Sequence, residues 1–217
     1  EYDFLATGDR GVYAQQLARA AAIANQYGIP FWVIMQLTQH GPYRAVSDGE
    51  IAWQVAMALA YGVRGLGYFT YWTPAPDPTI GWHEGMIALD GTRTHGYDVV
   101  AALNPRAAAA GMRLARMTRL ATTHAGSVPA GCLAFAPSGW ISAVEGRAAL
   151  GFFADSIGTR HVLVVNADSA SAQVLTLTLP GASGVWRLAD DGASWLTLAT
   201  AISPAGPRVS VHLSAGD

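Results

Sequence analysis

The chain has 217 residues, 51% of them hydrophobic and 13% charged, which indicates a globular protein and excludes an intrinsically disordered one. The formal net charge is −2 and the basic residues, all of them arginine, are scattered, so neither a nucleic-acid partner nor a catalytic lysine is expected. The single cysteine, Cys132, excludes an internal disulfide and a cysteine-based metal site, and no apolar run is long enough for a membrane span.

The start of the chain predicts a strand, a helix and a second strand. The short apolar segment 2–7 predicts a strand, and because the chain enters it directly, we expect the sequence to begin within a larger fold. Apolar residues three or four apart over residues 12–27 predict a helix, which Gly28 ends and Pro30 prevents from continuing. The apolar run 31–36 predicts the next strand.

A capping signal predicts the second helix. Ser47 and Glu50 have the S-x-x-E spacing of a capping box, and the apolar positions that follow have helical spacing up to Gly62. The apolar run 66–72 predicts a third strand. Nearly continuous apolar strands separated by helices indicate a parallel sheet that is covered on both faces.

A long loop and a proline-containing helix follow the third strand. Residues 73–95 contain three prolines near their start and show no periodic pattern, and a loop of this length inside a compact domain is usually functional. Residues 96–117 have a helical pattern that Asn104 and Pro105 interrupt. Either Pro105 begins a new helix capped by Asn104, or it kinks a single helix.

The pattern changes near residue 120, where helical spacing gives way to short β-rich runs separated by turn signals. Short strands at this spacing are typical of an antiparallel β-sandwich. We therefore predict an α/β domain over residues 1–120 and an all-β sandwich over residues 121–217. The predicted sandwich strands cover residues 131–135, 148–155, 161–166, 173–179, 184–189, 195–198 and 208–213.

Three segments resemble a family of sugar-cleaving enzymes. They are YGIPFWVIMQ at residues 27–36, the pattern R-x-x-S-x-x-E-I-x-W-Q-V-x-M-A-L-A-Y-G from Arg44, and GLGYFTYWTP at residues 65–74. Together they resemble the last barrel units of clan A glycoside hydrolases, and most of all the β-galactosidase-like proteins of the family 42 kind. The run DGTRTHGYDVVAALN at residues 90–104 is similar to their final barrel helix, and the β-rich tail is similar to the small sandwich that often follows such barrels.

The resemblance implies a (β/α)₈ barrel of which this chain holds about three units. Residues 2–7, 31–36 and 66–72 would be strands six, seven and eight. A whole barrel needs about 250 residues, and three parallel strands would leave two unpaired edges. We therefore expect the N-terminal half of the barrel, in the same protein or in a second chain, as one partner, and a carbohydrate substrate as the other. No nucleic-acid or membrane partner is expected.

The resemblance also implies two catalytic carboxylates, one at the end of strand four and the nucleophile at the end of strand seven. Strand four is absent from this chain, and the end of strand seven carries Gln36, a neutral amide that cannot act as a nucleophile. Either the carboxylates come from elsewhere, or the protein binds sugar without cleaving it.

Two acidic residues of this chain are candidates for catalysis. Glu84, in the long loop, would act as a general acid if an apolar environment raised its pKa, although a solvated loop carboxylate is the commoner case. Asp3 would face the barrel interior and pair with an arginine of the absent half, and its alternative is a structural role. Asp9 is interpreted as a solvated loop acid and Glu50 as a helix cap.

Polar and aromatic residues at the strand ends are the candidates for sugar binding, because ligands of parallel sheets bind at the carboxyl ends. Gln36 offers donors and acceptors to sugar hydroxyls, and Trp72 offers an apolar surface to the C–H face of a sugar ring. The alternatives are a hydrogen bond to a loop for Gln36 and a core position for Trp72. The full candidate set is Gln36, Gln39, His40, Tyr71, Trp72, Trp82 and His83.

Neither a metal nor a cofactor is expected, because His40 and His83 lack the spacing of metal ligands and no glycine-rich nucleotide loop is present. In the predicted sandwich, Trp140, Trp186 and Trp195 are candidates for a carbohydrate-binding surface, although tryptophans of sandwiches more often lie in the core. The sequence therefore predicts a glycoside hydrolase with part of its active site outside this chain. The alternatives are a non-catalytic carbohydrate-binding barrel that has lost its nucleophile, and one half of a two-chain barrel.

Overall fold

The structure is a computed structural model that describes residues 2–217; Glu1, the first residue of the predicted barrel portion, lies outside the described residues. It is a mixed α/β fold in which most of the elements are strands. The helices are α1 (Tyr13–Tyr27), α2 (Asp48–Ala60) and α3 (His95–Leu114). The strands are β1 (Trp32–Gln36), β2 (Gly65–Phe69), β3 (Thr118–Ala125), β4 (Leu133–Ala134), β5 (Ala143–Glu145), β6 (Ala148–Ala154), β7 (Arg160–Asn166), β8 (Gln173–Thr178), β9 (Trp186–Leu188), β10 (Trp195–Thr197), β11 (Ala201–Ser203) and β12 (Gly206–Leu213).

The predicted strand over residues 2–7 does not form. Leu5 alone pairs, in an isolated antiparallel bridge with Tyr43. The carboxylate of Asp3, which is 6% exposed, accepts a hydrogen bond at 2.8 Å from the backbone N–H of Val12, the residue before α1. The segment is thus held by a loop and a helix N-terminus, and no neighbouring strand extends the single bridge into a ladder.

β1 and β2 form a two-stranded parallel sheet. The sequence predicts that both faces of this sheet are covered, but the described chain covers only one. Met35 points toward the helices and is fully buried in the core that they form. On the opposite face Trp32 and Ile34 are 74% and 63% exposed, and their partners on β2 are Gly65 and Gly67. Within residues 2–217 neither strand pairs with a third strand, so an apolar face and two edges stay open.

The helix termini form largely as the sequence predicts. The Ser47 hydroxyl accepts from the backbone N–H of Glu50 at 3.2 Å, and the Glu50 carboxylate accepts from the N–H of Ser47 at 2.8 Å, which confirms the capping box. Helix α3 continues through Pro105 as one helix. Asn104 caps nothing there, because its side-chain oxygen accepts a hydrogen bond from the Tyr68 hydroxyl at 2.8 Å.

The β-rich part consists of two four-stranded sheets and a separate ribbon. One sheet has the order β4-β3-β6-β7 and the other has the order β11-β12-β8-β5, while β9 and β10 pair only with each other. Leu150, Leu175 and Val209 belong to the buried apolar cluster that joins the two sheets. All pairings are antiparallel except that of β3 with β4.

The carboxyl end of α2 is bonded to β3, which runs across the predicted boundary after residue 120. The Thr122 hydroxyl donates to the Ala60 carbonyl at 2.8 Å, and the Tyr61 hydroxyl lies 2.8 Å from Nε2 of His124. Gly151 on β6 permits this close approach, because a Cβ there would lie 2.6 Å from the Ala60 carbonyl oxygen. Two of the three buried side chains of β3, Thr122 and His124, are polar, so the apolar pattern that marks a strand is missing from its sequence.

The Tyr61–His124 pair is closed off from solvent, with His124 only 2% exposed. Burial lowers the pKa of His124, because the charged imidazolium would lose its hydration. Burial likewise raises the pKa of the Tyr61 hydroxyl, which also contacts the Cys132 thiol at 3.3 Å. Both groups are therefore uncharged at neutral pH, and the junction between α2 and the β-rich part depends on neutral hydrogen bonds.

Gly151→Ala tests this junction. We expect it to lower the free energy of unfolding by about 2 kcal/mol, because the new Cβ would overlap two backbone atoms of Ala60 and a ring carbon of Phe153. Urea unfolding of the purified chain measures the loss. Gly139→Ala is the matched control, since no atom lies within 4 Å of the added Cβ. Equal stability of the two variants would contradict the tight packing of α2 on β6.

Candidate functional site

The candidate site lies where β1 and β2 end, at Gln36 and Phe69, which are direct partners in the sheet. The chain leaves β1 through the loop that carries Gln39 and His40, and it leaves β2 through residues 70–94. As predicted, the segment after β2 is a long loop without a helix or strand of its own. The peptide bond between Phe69 and Thr70 is cis.

Gln36 is fixed below the surface of this site. Its backbone N–H donates to Oε1 of Gln54 on α2 at 3.0 Å, and its carbonyl accepts from Nε2 of Gln54 at 3.0 Å. Its own amide Nε2 donates to the Arg44 carbonyl at 2.6 Å, while its buried Oε1 has no partner among the described residues. Because Gln36 is fully buried, it can meet a ligand only where a neighbouring loop moves aside.

Arg44 holds the loop that covers Gln36. Its guanidinium contacts a carboxylate oxygen of Glu50 at 2.6 Å and one of Asp9 at 2.9 Å. Burial tends to raise the pKa of the Glu50 carboxyl, but the hydrogen bonds and charge of Arg44, together with the N–H of Ser47, outweigh burial and lower that pKa. Asp9, predicted as a solvated loop acid, is thus part of an ion-pair network, and Glu50 has a structural role beyond its cap.

An aromatic cluster forms the middle of the site. The rings of His40 and Trp82 are stacked, with centroids 5.0 Å apart and an interplanar angle of 22°. Tyr43 and Phe69 each lie 5.1 Å from the His40 ring, and Tyr2 contacts His40 from a third side at 5.9 Å. These contacts bring together residues from both loops and from the strand end.

Hydrogen bonds orient His40 in this cluster. Nδ1 of His40 lies 2.8 Å from the Thr38 carbonyl, and because a carbonyl can only accept, Nδ1 carries the hydrogen. In the neutral ring Nε2 is then an acceptor. The backbone N–H of His83 donates to the Gln39 carbonyl at 3.1 Å, which ties the two loops together beside the aromatic rings.

Tyr71 and Trp72 extend the site toward solvent. They are 59% and 50% exposed, yet their backbone is fixed because the N–H of Ile87 donates to the Tyr71 carbonyl at 2.8 Å and the N–H of Thr73 donates to the Ile87 carbonyl at 2.9 Å. Two large aromatic rings therefore stand on a rigid backbone next to the strand ends. Their open surfaces suit an apolar ring face better than a charged ligand.

The two acidic candidates occupy very different environments. Glu84 is exposed and makes no hydrogen bond or ion pair with the rest of residues 2–217. Asp3 is buried, and its carboxylate accepts a hydrogen bond from the N–H of Val12 at the start of α1. Glu84 is therefore available to a ligand, whereas Asp3 acts within this chain as a helix anchor.

The sequence did not nominate Tyr2, Tyr43, Arg44 or Phe69, which contact the predicted residues. Tyr43 follows His40 by three residues in the same loop, and this short spacing is the only local signal that could have identified it. Among residues 2–217 there is no group of three or more side chains suited to hold a metal ion. Nor does this part of the chain contain a helix long and apolar enough to cross a membrane.

Comparison with known proteins adds no assignment: no protein-family model, no curated protein and no solved structure matches the chain.

Glu50→Gln tests the charge network over Gln36, since glutamine can still accept the capping hydrogen bond. The folded-state pKa of Glu50 is lowered, so its contribution is present above the ordinary carboxyl pKa and is lost as pH falls through the folded value. We expect a loss of about 2 kcal/mol at pH 7, with the variant and the unaltered chain converging in acid. Urea unfolding from pH 7 to pH 3 measures both effects.

The control is Glu145→Gln, which removes an exposed ion pair with Arg208. This pair should contribute less than about 1 kcal/mol at every pH. A Glu50→Gln variant that behaves like Glu145→Gln would show that the Arg44–Glu50 ion pair does not stabilise the loop.

Proposed function

We propose that this chain forms the sugar-binding wall of a clan A glycoside hydrolase, in which residues 2–114 are the last units of a (β/α)₈ barrel. The reaction would be hydrolysis of a glycosidic bond by an acid and a second carboxylate. The observation that carries the proposal is the position of Trp82, His40, Tyr71 and Trp72 beyond the carboxyl ends of two parallel strands. In (β/α)₈ barrels the active site lies at that end.

The open face of the β1–β2 sheet supports a barrel that is completed elsewhere. All three helices lie on the side of Met35, as the outer helices of a barrel do, while Trp32 and Ile34 on the other side are exposed. Side chains on that side of a barrel strand fill the barrel interior. A contiguous apolar surface that includes Trp32 usually marks an interaction site.

The chemistry of the strand ends supports a neutral carbohydrate as substrate. Trp72 and Tyr71 offer flat apolar rings, and Nε2 of His40 accepts a hydrogen bond from a hydroxyl group. Glu84 is the accessible acid beside Trp82, and we assign it as the candidate general acid. Because the end of β1 carries Gln36 in place of a carboxylate, the second carboxylate would come from the completing half.

The burial of Gln36 favours a second candidate, a barrel that binds sugar without cleaving it. In the proposed barrel, the Gln36 amide that is bonded to the Arg44 carbonyl would stand where the resemblance implies the nucleophile. The distance between two carboxylates in the cleft of the completed barrel distinguishes the hydrolase from the sugar-binding protein. Two cleft carboxylates about 5 to 10 Å apart would favour hydrolysis, and the lack of such a pair would favour binding alone.

Trp72→Ala tests the sugar-binding wall in the protein that retains its completing half. We expect kcat/KM for aryl glycosides to fall about tenfold, because the loss of one aromatic platform removes roughly 1.4 kcal/mol of binding. Ile157→Ala, at a site 87% exposed in the sandwich, serves as the control. Unchanged turnover in Trp72→Ala would remove Trp72 from the site, and no turnover of any aryl glycoside by the unaltered protein would favour the binding function.

Trp32→Glu tests whether a second half covers the sheet. In the 217-residue chain alone the charge costs little, because Trp32 is 74% exposed. In the protein with its barrel complete, the same charge would be buried, and we expect a loss of about 3 kcal/mol in the free energy of unfolding. Ile157→Glu should be harmless in both forms. Equal effects of Trp32→Glu in the two forms would contradict a covered face.

Light scattering combined with denaturing electrophoresis, on protein purified from its native source, separates the two ways of completing the barrel. A particle that contains this polypeptide and a different second polypeptide would indicate a two-chain barrel. A single longer polypeptide would indicate that both halves belong to one chain.

A further inference from the structure

Two tryptophans of the β-rich part are exposed, away from the site at the strand ends. Trp186 on β9 is 55% exposed and Trp195 on β10 is 45% exposed. The third candidate, Trp140, instead packs edge-on against Phe152 at 5.0 Å beside the sandwich core. The sequence allows either a core or a surface position for each of the three tryptophans. In the structure Trp186 and Trp195 are exposed, and Trp140 is packed against the apolar cluster.

Trp186 and Trp195 project from the same face of the β9–β10 ribbon. Trp186 is opposite Thr197, and Trp195 is opposite Leu188, so the two tryptophans occupy diagonal positions two residues apart in register. Diagonal neighbours of an antiparallel pair lie about 7–8 Å apart, within reach of large aromatic rings. The two rings can therefore contact neighbouring units of one extended ligand.

Both tryptophans have one supported side and one open side. The Trp186 ring lies against Gly184, where a Cβ would come within 2.6 Å of the ring. The Trp195 ring lies beside the His161 imidazole of β7, with centroids 5.8 Å apart. With about half of each residue accessible, each ring keeps an open surface for a ligand.

The ribbon is held at both ends, so it does not need to fold on binding. The guanidinium of Arg113 on α3 donates to the carbonyls of Gly192 and Ala193 in the turn, each at 3.1 Å. At the open end the N–H of Leu198 donates to the Val185 carbonyl at 2.8 Å. A platform fixed in this way loses little conformational entropy when a ligand binds.

The charges near the ribbon favour a neutral ligand. Arg106 and Arg187 both lie 3.8 Å from the Asp190 carboxylate, and Arg106 also pairs with Asp217 at 3.2 Å, so neither basic group forms a separate anion site. Thr197 supplies a hydroxyl on the face that carries Trp186. A polyanion or an acidic membrane surface would require a cluster of free basic side chains in this place.

We infer that the Trp186–Trp195 face binds a neutral oligosaccharide, whose pyranose rings stack by their C–H faces on the two indoles. This site is separate from the strand-end site and does not rest on the proposed hydrolysis.

Affinity electrophoresis of the full chain in gels that contain hydroxyethylcellulose, xylan or galactan tests the inference. We expect at least one polysaccharide to retard the unaltered protein, and the apparent affinity to fall about tenfold in Trp186→Ala and in Trp195→Ala. Ile23→Ala, which removes a 53% exposed apolar side chain on helix α1, should be retarded like the unaltered protein. Retardation by none of the three gels, or equal retardation of all variants, would overturn the inference.

A second measurement avoids substitution altogether. N-bromosuccinimide oxidises accessible indoles, and peptide mass spectrometry reports the modified tryptophans separately. The polysaccharide that retards the protein should protect Trp186 and Trp195 from oxidation, while Trp72 serves as an internal comparison at 50% exposure. Protection of Trp72 alone would place the sugar at the strand ends and overturn the second site.

Light scattering tests the other occupant, a second copy of this chain. If the unaltered protein is a dimer and both tryptophan variants are monomers, the ribbon is a contact between copies and the inference is overturned.

Discussion

Helix α2 makes the hydrogen bonds on which the other parts of the structure depend. At its amino end Glu50 caps the helix and pairs with Arg44, whose loop covers Gln36. In its middle Gln54 bonds both backbone groups of Gln36 and so fixes the end of β1. At its carboxyl end the Ala60 carbonyl accepts a hydrogen bond from the Thr122 hydroxyl of β3. A movement of α2 would therefore disturb the candidate site and the junction with the sandwich together.

The second constraint is that the parallel sheet has one buried face and one exposed apolar face. Apolar burial stabilises a sheet in proportion to the area removed from water, and the described chain supplies that burial only on the side of Met35. Trp32 and Ile34 remain in water on the other side. An exposed apolar surface of this kind is usually covered by another part of the protein or by a partner, and it lowers solubility when it is left open. This imbalance, more than any single residue, gives the proposed barrel its physical basis.

The two groups of exposed aromatic residues differ in how they are built. Trp72 and Trp82 are carried by the loop after β2, where Trp72 is held by a backbone bridge to Ile87 and Trp82 is stacked on His40. Trp186 and Trp195 sit on a short ribbon fixed by Arg113 and by its own pairing. Loops and short ribbons allow exposed rings that a sheet interior does not, because a sheet buries its large side chains against a second layer.

Local patterns in the sequence were sufficient for the helices, the capping box, β1, β2 and most sandwich strands, because periodicity and capping depend on neighbouring residues. They also predicted the loops that follow β1 and β2. Tertiary structure alone decided that Leu5 forms a single bridge with Tyr43 in place of a strand over residues 2–7, that Gln36 is buried, and that β3 joins α2 through polar side chains. These outcomes depend on partners distant along the chain, and such partners leave no mark in local spacing.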